Sequence, residues 1–259
     1  MTKIGITGAN GLLGFLIKKK FKKKKINYSV FNGDIKDKKE ISNWIETNSN
    51  LEYIFHFAGI SSPLVVNKNK KKAFKVNVLG TRNLIEVLKH KKKKIWFFFP
   101  SSSHVYKYSK NKIKETHLLK PSSNYGKTKL SAEKIIIKNK SKNFSFFIGR
   151  IFSIYHQKQK KPFLYPSIKQ KISSNRNKKI YLKNGLSVRD FSNAQDVVEI
   201  IFKIFVKKLT GIYNIGSGRG ITVKSFIEKH FNLKNIVTLN KSVNTLISNN
   251  NKLMKKLNE

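Results

Sequence analysis

The chain has 259 residues, 39% of them hydrophobic, with 55 Lys+Arg against 13 Asp+Glu for a formal net charge of +42, and no cysteine. This length and apolar content bury a sizeable core in one domain or in one large and one small lobe. The absence of thiols excludes disulfides and thiolate metal sites, and no apolar run reaches the roughly 20 residues of a membrane-spanning helix.

The chain goes straight into a strand with no signal-peptide layout, so a reducing, cytoplasmic location without membrane attachment is expected. A charge of +42 would ordinarily point to nucleic acid or an anionic membrane. The excess is almost all lysine, in runs such as Lys18–Lys20, Lys22–Lys25, Lys70–Lys72 and Lys91–Lys94, spread over helix ends and connections rather than gathered in one block. It accompanies abundant Asn, Ile and Phe, the amino acids of A+T-rich codons. The charge therefore reads as compositional, with solvated lysine faces and no specific nucleic-acid partner.

In chain order, Ile4 and Ile6 read as a short buried strand, Gly8, Ala9 and Asn10 as a tight turn, and Gly11 through Ile17 as the start of a helix. Glycines at Gly8, Gly11 and Gly14 suit the turn, the approach of backbone to a pyrophosphate, and close packing of helix on strand. The pyrophosphate would lie on the helix N-terminus. Tyr28–Phe31 reads as a second strand, Glu40–Thr47 as a helix, and Leu51–Ala58 as an apolar strand running into a loop at Ile60–Val66. Phe74–Lys89 is an amphipathic helix, Ile95–Phe99 a buried strand, Tyr125–Asn139 a long helix and Phe144–Ile151 a further strand. This alternation predicts an α/β fold, a doubly wound parallel sheet.

Beyond it the pattern loosens. Residues Tyr155 to Arg189 read as part of a smaller lobe, followed by a helix at Gln195–Val206, a strand at Gly211–Gly216 and a helix at Thr222–His230 capped by Thr222. The tail after Asn240 is rich in Asn and Lys and reads as partly disordered. The expected organisation is a dinucleotide-binding domain over 1–152, a small substrate lobe over 153–240 with elements returning to the sheet, and a polar tail over 241–259.

Tyr125-Gly-Lys-Thr-Lys129 places a phenol and an ammonium one helical turn apart. The ammonium is expected to lower the tyrosine pKa from about 10 and make it a usable general acid or base. Ser102 follows the strand Ile95–Phe99, so its hydroxyl would lie at the carboxyl edge of the sheet, where ligands of such folds collect. His56, His104 and His117 form no metal-ligand spacing, and no metal site is expected.

These residues resemble the extended short-chain dehydrogenases/reductases, in particular the NAD-dependent epimerase/dehydratase group that acts on nucleotide sugars. The similarity covers nearly the whole chain. It rests on Thr7-Gly8-Ala9-Asn10-Gly11-Leu12-Leu13-Gly14, Gly33-Asp34-Ile35, His56-Phe57-Ala58-Gly59, Asn77-Val78-Leu79-Gly80-Thr81, Ser101-Ser102-Ser103-His104-Val105-Tyr106 and Tyr125-Gly126-Lys127-Thr128-Lys129. It continues in Arg189-Asp190-Phe191, Asp196-Val197 and Tyr213-Asn214-Ile215-Gly216. The resemblance implies a Rossmann-type fold and a catalytic triad of Ser102, Tyr125 and Lys129, Ser102 standing four residues before Tyr106. It implies that NAD or NADP is held by Gly8, Asn10, Gly11, Leu12, Leu13, Gly14, Asp34, Ile35, Phe57, Ala58, Gly59, Asn77, Tyr125 and Lys129. It further implies that a nucleotide sugar meets Ser61, Ser103, His104, Ser153 and Arg189, and that the protein is a homodimer.

Only 20 residues separate Gly14 from Asp34, too few for the strand–helix–strand unit that longer members interpose there. Compact forms of this kind resemble the reductases of 4-keto-6-deoxy nucleotide sugars. Dehydration wants an acidic pair beside Ser102, where this chain has Ser103 and His104, so reductase and epimerase remain as activities. The competing reading is a catalytically weak dinucleotide-binding protein that uses its basic surface to associate with nucleic acid.

Overall fold

The computed structural model describes residues 2–174, 179–234, 236–239 and 242–259. The first strand β1 (Ile4–Thr7) is wholly buried and leads through the glycine turn into helix α1 (Leu12–Lys23), and the chain then passes directly to β2 (Tyr28–Phe31). As the short spacing implied, no further strand comes between α1 and β2. Helix α2 (Lys38–Thr47) is capped by Asp37, whose carboxylate accepts from the amides of Lys39 and Glu40, satisfying two of the four donors a helix start leaves open.

Strand β3 (Tyr53–His56) follows, and the segment after it differs from the expected loop. Ser62 caps a short helix α3 (Pro63–Lys68), where proline at the first helical position loses no hydrogen bond. Asn69 then caps α4 (Lys70–Phe74), which runs through one π-helical turn at Lys75–Leu79 into α5 (Gly80–Lys89). Strand β4 (Ile95–Ser102) carries the apolar run three residues further than its composition suggests, so that both Ser101 and Ser102 are strand residues. Helix α6 (Asn124–Lys138), capped by Ser123, and β5 (Phe144–Ile151) complete the first half.

The second half supplies β6 (Ser153–Tyr155), α7 (Leu164–Ser174), β7 (Ile180–Lys183), β8 (Val188–Arg189), β9 (Phe191–Asn193), α8 (Ala194–Val206), β10 (Gly211–Ile215), β11 (Ile221–Thr222), α9 (Val223–Phe231), β12 (Ile236–Leu239), β13 (Thr245–Leu246) and α10 (Asn251–Asn258). Thr222 caps α9 by accepting from the Ser225 amide at 3.0 Å.

The central sheet is parallel in the order β10-β5-β4-β3-β1-β2. Its strands alternate. Trp96 and Phe98 enter one core layer with α1, α8 and Leu253 of α10, while Ile95, Phe97 and Phe99 enter the other with α2, α5 and α6. This is the period of two expected of a strand whose faces are both covered. Ile168, Ile180, Leu182, Phe226, Ile227 and Ile236 form a smaller core of their own.

The tail differs from expectation. Although its composition is polar, β13 pairs with β8, Ile113 bridges to Ser248, and α10 inserts Leu253, 1% exposed, into the main core. Residues 240 and 241 lie outside the described ones. The chain order reverses between β1 and β3, with β2 on one side and β4 on the other, and the crevice beyond such a reversal is where ligands of open α/β sheets bind. Among the described residues no helix is long and apolar enough to cross a membrane.

Candidate active site

At this crevice Gly8, Ala9, Asn10 and Gly11 face Phe31–Ile35 and Ala58, Gly59 and Val76 across a cleft of about 310 Å³. Gly8 sits at φ +67°, and a Cβ there would overlap the Ala58 amide, so no side chain fits. Helix α1 begins at Gly11 with no side-chain cap, which leaves its first amides, those of Leu12 and Leu13 among them, free to meet an anion. The cradle thus fits a dinucleotide pyrophosphate. Seven of the residues expected to hold the cofactor line this cleft: Gly8, Asn10, Gly11, Asp34, Ile35, Ala58 and Gly59.

The others have different surroundings. Gly14 is buried against the Gly8 carbonyl, where it lets the helix close on the turn. The Phe57 ring packs on Phe55 and Phe98 in the core. Asn77 is 3% exposed with its amide fully engaged: it accepts from Ile60 N at 2.7 Å and donates to Ile60 O and to Thr128 Oγ1, each at 3.0 Å. Its role is therefore a brace. It ties the loop after Gly59 to the turn of α6 that lies between Tyr125 and Lys129.

Ser102, Tyr125 and Lys129 are 6%, 9% and 8% exposed, brought together by β4 and α6. The Ser102 side chain acts on Tyr125, favouring its phenolate, and the His104 amide donates to Ser102 Oγ at 3.2 Å. The expected depression of the tyrosine pKa is not found. Burial pushes Tyr125 up to about 12 against the opposing effect of Ser102, because the phenolate would be desolvated. The same burial pushes Lys129 down to about 7, with the charge of Glu133 working the other way. Lys129 Nζ stands 4.1 Å from the centre of the Phe99 ring. Before ligands bind, Tyr125 is a neutral phenol.

His104 is half-buried with its ring edge-on to Tyr125, 5.6 Å between centres, and its Nδ1 is 3.2 Å from Ser123 Oγ. Burial, followed by the nearby Arg189, pushes it down to about 4, so the imidazole is neutral. Arg189 donates to the backbone oxygens of Val188 and Asn244 at 2.8 Å and to the Asn244 side chain. Ser103 is buried, Ser153 is half-buried opposite Phe191, and Ser61 is exposed on the loop before α3. Among the described residues no group of three or more His, Asp or Glu converges as metal ligands would.

Two features escaped the motifs. Asp34 is paired with Lys36 Nζ at 2.9 Å, and Glu133 is fully buried against Arg150. Glu133 is the single acid of α6 and follows Lys129 by four residues, a signal visible in the sequence.

A family model, GDP-mannose 4,6 dehydratase, matches residues 12–258. The chain belongs to that family, within the NAD-dependent epimerase/dehydratase group of the extended short-chain dehydrogenases/reductases. A GDP-6-deoxy-D-talose 4-dehydrogenase of Aggregatibacter actinomycetemcomitans is 27% identical over 234 residues, covering 85% of this chain and 76% of that protein. A UDP-glucose 4-epimerase of Pisum sativum is 27% identical over 222 residues, covering 75% of this chain and 62% of that one. The structure of RMD from Pseudomonas aeruginosa complexed with NADPH superposes with a TM-score of 0.88 at 18% identity, covering 100% of this chain and 93% of the other, which shows the shared fold.

Proposed function

We propose that the protein is an NAD(P)-dependent oxidoreductase or epimerase acting on a nucleotide-activated sugar, and within that class a reductase of a 4-keto-6-deoxy nucleotide sugar. One observation carries the reading: Asn77 joins the glycine-lined cleft to the helix turn between Tyr125 and Lys129, and Ser102, Tyr125 and Lys129 are buried together at its end. Cofactor cradle and acid are one constellation.

Gly8, Gly11 and the first amides of α1 would hold the pyrophosphate, and Phe31–Ile35 the adenosine side. The bound nicotinamide would supply or accept the hydride. Tyr125, protonated, is in the state needed to give its proton to a keto oxygen, and Ser102 would share that hydrogen bond and orient the oxygen. Lys129, as an ammonium one turn away, would favour the phenolate left behind. His104 and Arg189 would face the sugar and its nucleotide, with Ser103 and Ser153 beside them. Neutral His104 in place of a carboxylate disfavours dehydration. The epimerase reading stands second, supported by the pea relative. In either case the working form would be a cytoplasmic homodimer, and its lysines would be solvent-facing with no specific nucleic acid.

The test is to incubate the purified protein with a panel of nucleotide sugars, following nicotinamide absorbance and product identity together. Net oxidation of the cofactor indicates the reductase and product without net change the epimerase. Tyr125→Phe should lower turnover by about 10²–10⁴ while cofactor affinity is kept. Near-normal turnover in that variant would overturn the mechanism.

A further inference from the structure

Glu133 is wholly buried in the middle of a helix whose other ionised groups are all lysines. Its carboxylate accepts from Arg150 Nε at 3.1 Å and Nη2 at 2.8 Å, the two-pronged geometry of a guanidinium–carboxylate pair, and from the Ser101 hydroxyl. Arg150 lies on β5 and is itself held, its Nη1 donating to Tyr106 Oη at 2.9 Å and to the Glu115 carbonyl at 3.0 Å. Tyr106 in turn donates to Asn214 of β10 at 2.7 Å. The carboxylate is therefore fixed from β4, β5 and, through Tyr106, β10.

Two of its neighbours matter for catalysis. Ser101 directly precedes Ser102, so the bond to Glu133 fixes the strand end that presents the serine. Lys129 lies one turn before Glu133 on the same helix, a separation at which side chains are neighbours. Lys129 is itself buried and faces the Phe99 ring, surroundings that favour the neutral amine. Other charge within reach must hold the proton on it.

We propose that Glu133 is a positioning residue for the reaction: its fixed negative charge keeps Lys129 a cation beside Tyr125, and its bond to Ser101 holds Ser102 against α6. The pair with Arg150 serves this role because its two-pronged geometry fixes where the carboxylate points. The groups acting on Lys129 are Glu133 of its own helix and His56 and Phe99 of the sheet, with the Arg150 guanidinium on the far side of Glu133. Among these Glu133 is the one standing negative charge.

The inference rests on the proposed roles of Tyr125 and Lys129, and its test separates the two. The pH profile of kcat/KM for the nucleotide sugar is measured for the native protein, Glu133→Gln, and the double variant Glu133→Met with Arg150→Met. The double variant is included because a lone buried guanidinium can unfold the single one, whereas an apolar pair of similar size is commonly tolerated. Activity should fall at high pH as Lys129 loses its proton, and this limb should move down by about one pH unit or more in Glu133→Gln, which leaves Arg150 unopposed, and in the same direction by less in the double variant, where the opposite charge of Arg150 leaves with that of Glu133. A folded variant whose high-pH limb coincides with that of the native protein overturns the role of Glu133. Full turnover in Tyr125→Phe would instead overturn the mechanism on which it rests.

Discussion

Gly126 packs directly beneath His104: a Cβ on Gly126 would overlap the His104 carbonyl oxygen. The contact seats the turn at Ser103–Val105 on the first turn of α6, and the His104 amide of that turn donates to Ser102 Oγ at 3.2 Å. Gly126→Ala should therefore destabilise the protein by about 1–3 kcal/mol, the usual cost of forcing an atom into a packed site. Thermal unfolding should fall by about 2–4 °C for each kcal/mol in a chain of this size. Turnover should drop more than cofactor affinity, because the glycine cradle at Gly8 is remote from the strain. Unchanged turnover with the native unfolding temperature would show that the turn yields freely.

Acid should weaken the fold through His56. Thr81 Oγ1 gives its proton to the Asn77 carbonyl at 2.8 Å, so it accepts from His56 Nε2 at 2.9 Å. With the ring proton on Nε2, the Nδ1 of a neutral ring accepts, and the Thr7 hydroxyl 2.7 Å away donates to it. This arrangement suits a neutral imidazole. Burial, followed by the charge of Lys129, pushes His56 down to about 3 from the ordinary 6.5. A histidine whose folded value is lowered leaves stability intact above pH 6.5; below it the unfolded chain takes up a proton that the folded protein refuses until about pH 3. At pH 5 the loss is about 2 kcal/mol. Denaturant unfolding at a series of pH values should show this slope, and His56→Gln should make it shallower by about one proton between pH 6 and 5.

Much of this was legible from the residues because periodicity and glycine placement are local. Tyr28–Phe31 and Phe144–Ile151 are read without error, and the cap at Thr222 follows from its type and position. Two misreadings have a common cause. The tail is polar in composition, yet three or four apolar side chains such as Leu246 and Leu253 suffice to dock it, since the surface they cover is supplied by distant segments. The pKa of Tyr125 was expected to fall because the spacing to Lys129 is visible in the sequence. The burial of both is not, and desolvation outweighs the pair. The Glu133–Arg150 pair is likewise a contact across 17 positions, whose existence depends on β5 lying beside β4.

The net charge yields a prediction about polyanions. Surface carboxylates are already paired with lysines, as in Lys3 with Glu52 at 3.1 Å and Lys38 with Glu86 at 3.0 Å, so the outer face is dominated by positive charge. DNA should bind at low salt regardless of sequence and lose about 10³–10⁵ in affinity between 50 and 200 mM salt, as counterion release requires. Tight, sequence-selective binding that survives about 0.2 M salt would make the basic surface a working one.

Cofactor choice depends on the residues after β2. A carboxylate that hydrogen-bonds the adenosine ribose selects NAD and repels a 2′-phosphate, while an arginine there selects NADP. This chain has Asn32 where that carboxylate would stand, and both Asn32 and Asp34 line the cleft. Asp34 is already engaged: its hydrogen bonds to the Lys36 side chain and amide hold it below the usual carboxylate range, with Lys72 adding to the effect. An ammonium thus already stands against the Asp34 carboxylate, and such lysines attract a phosphate without gripping it in two places. NAD and NADP should both bind with weak discrimination, and any preference for NADP should fade as salt rises, because exposed charges are screened. Lys36→Ala should release Asp34 and tilt the balance toward NAD. Titrating each cofactor at two ionic strengths checks this; a strong, salt-independent preference for NAD in the native protein would mean that Asp34 leaves Lys36 for the ribose.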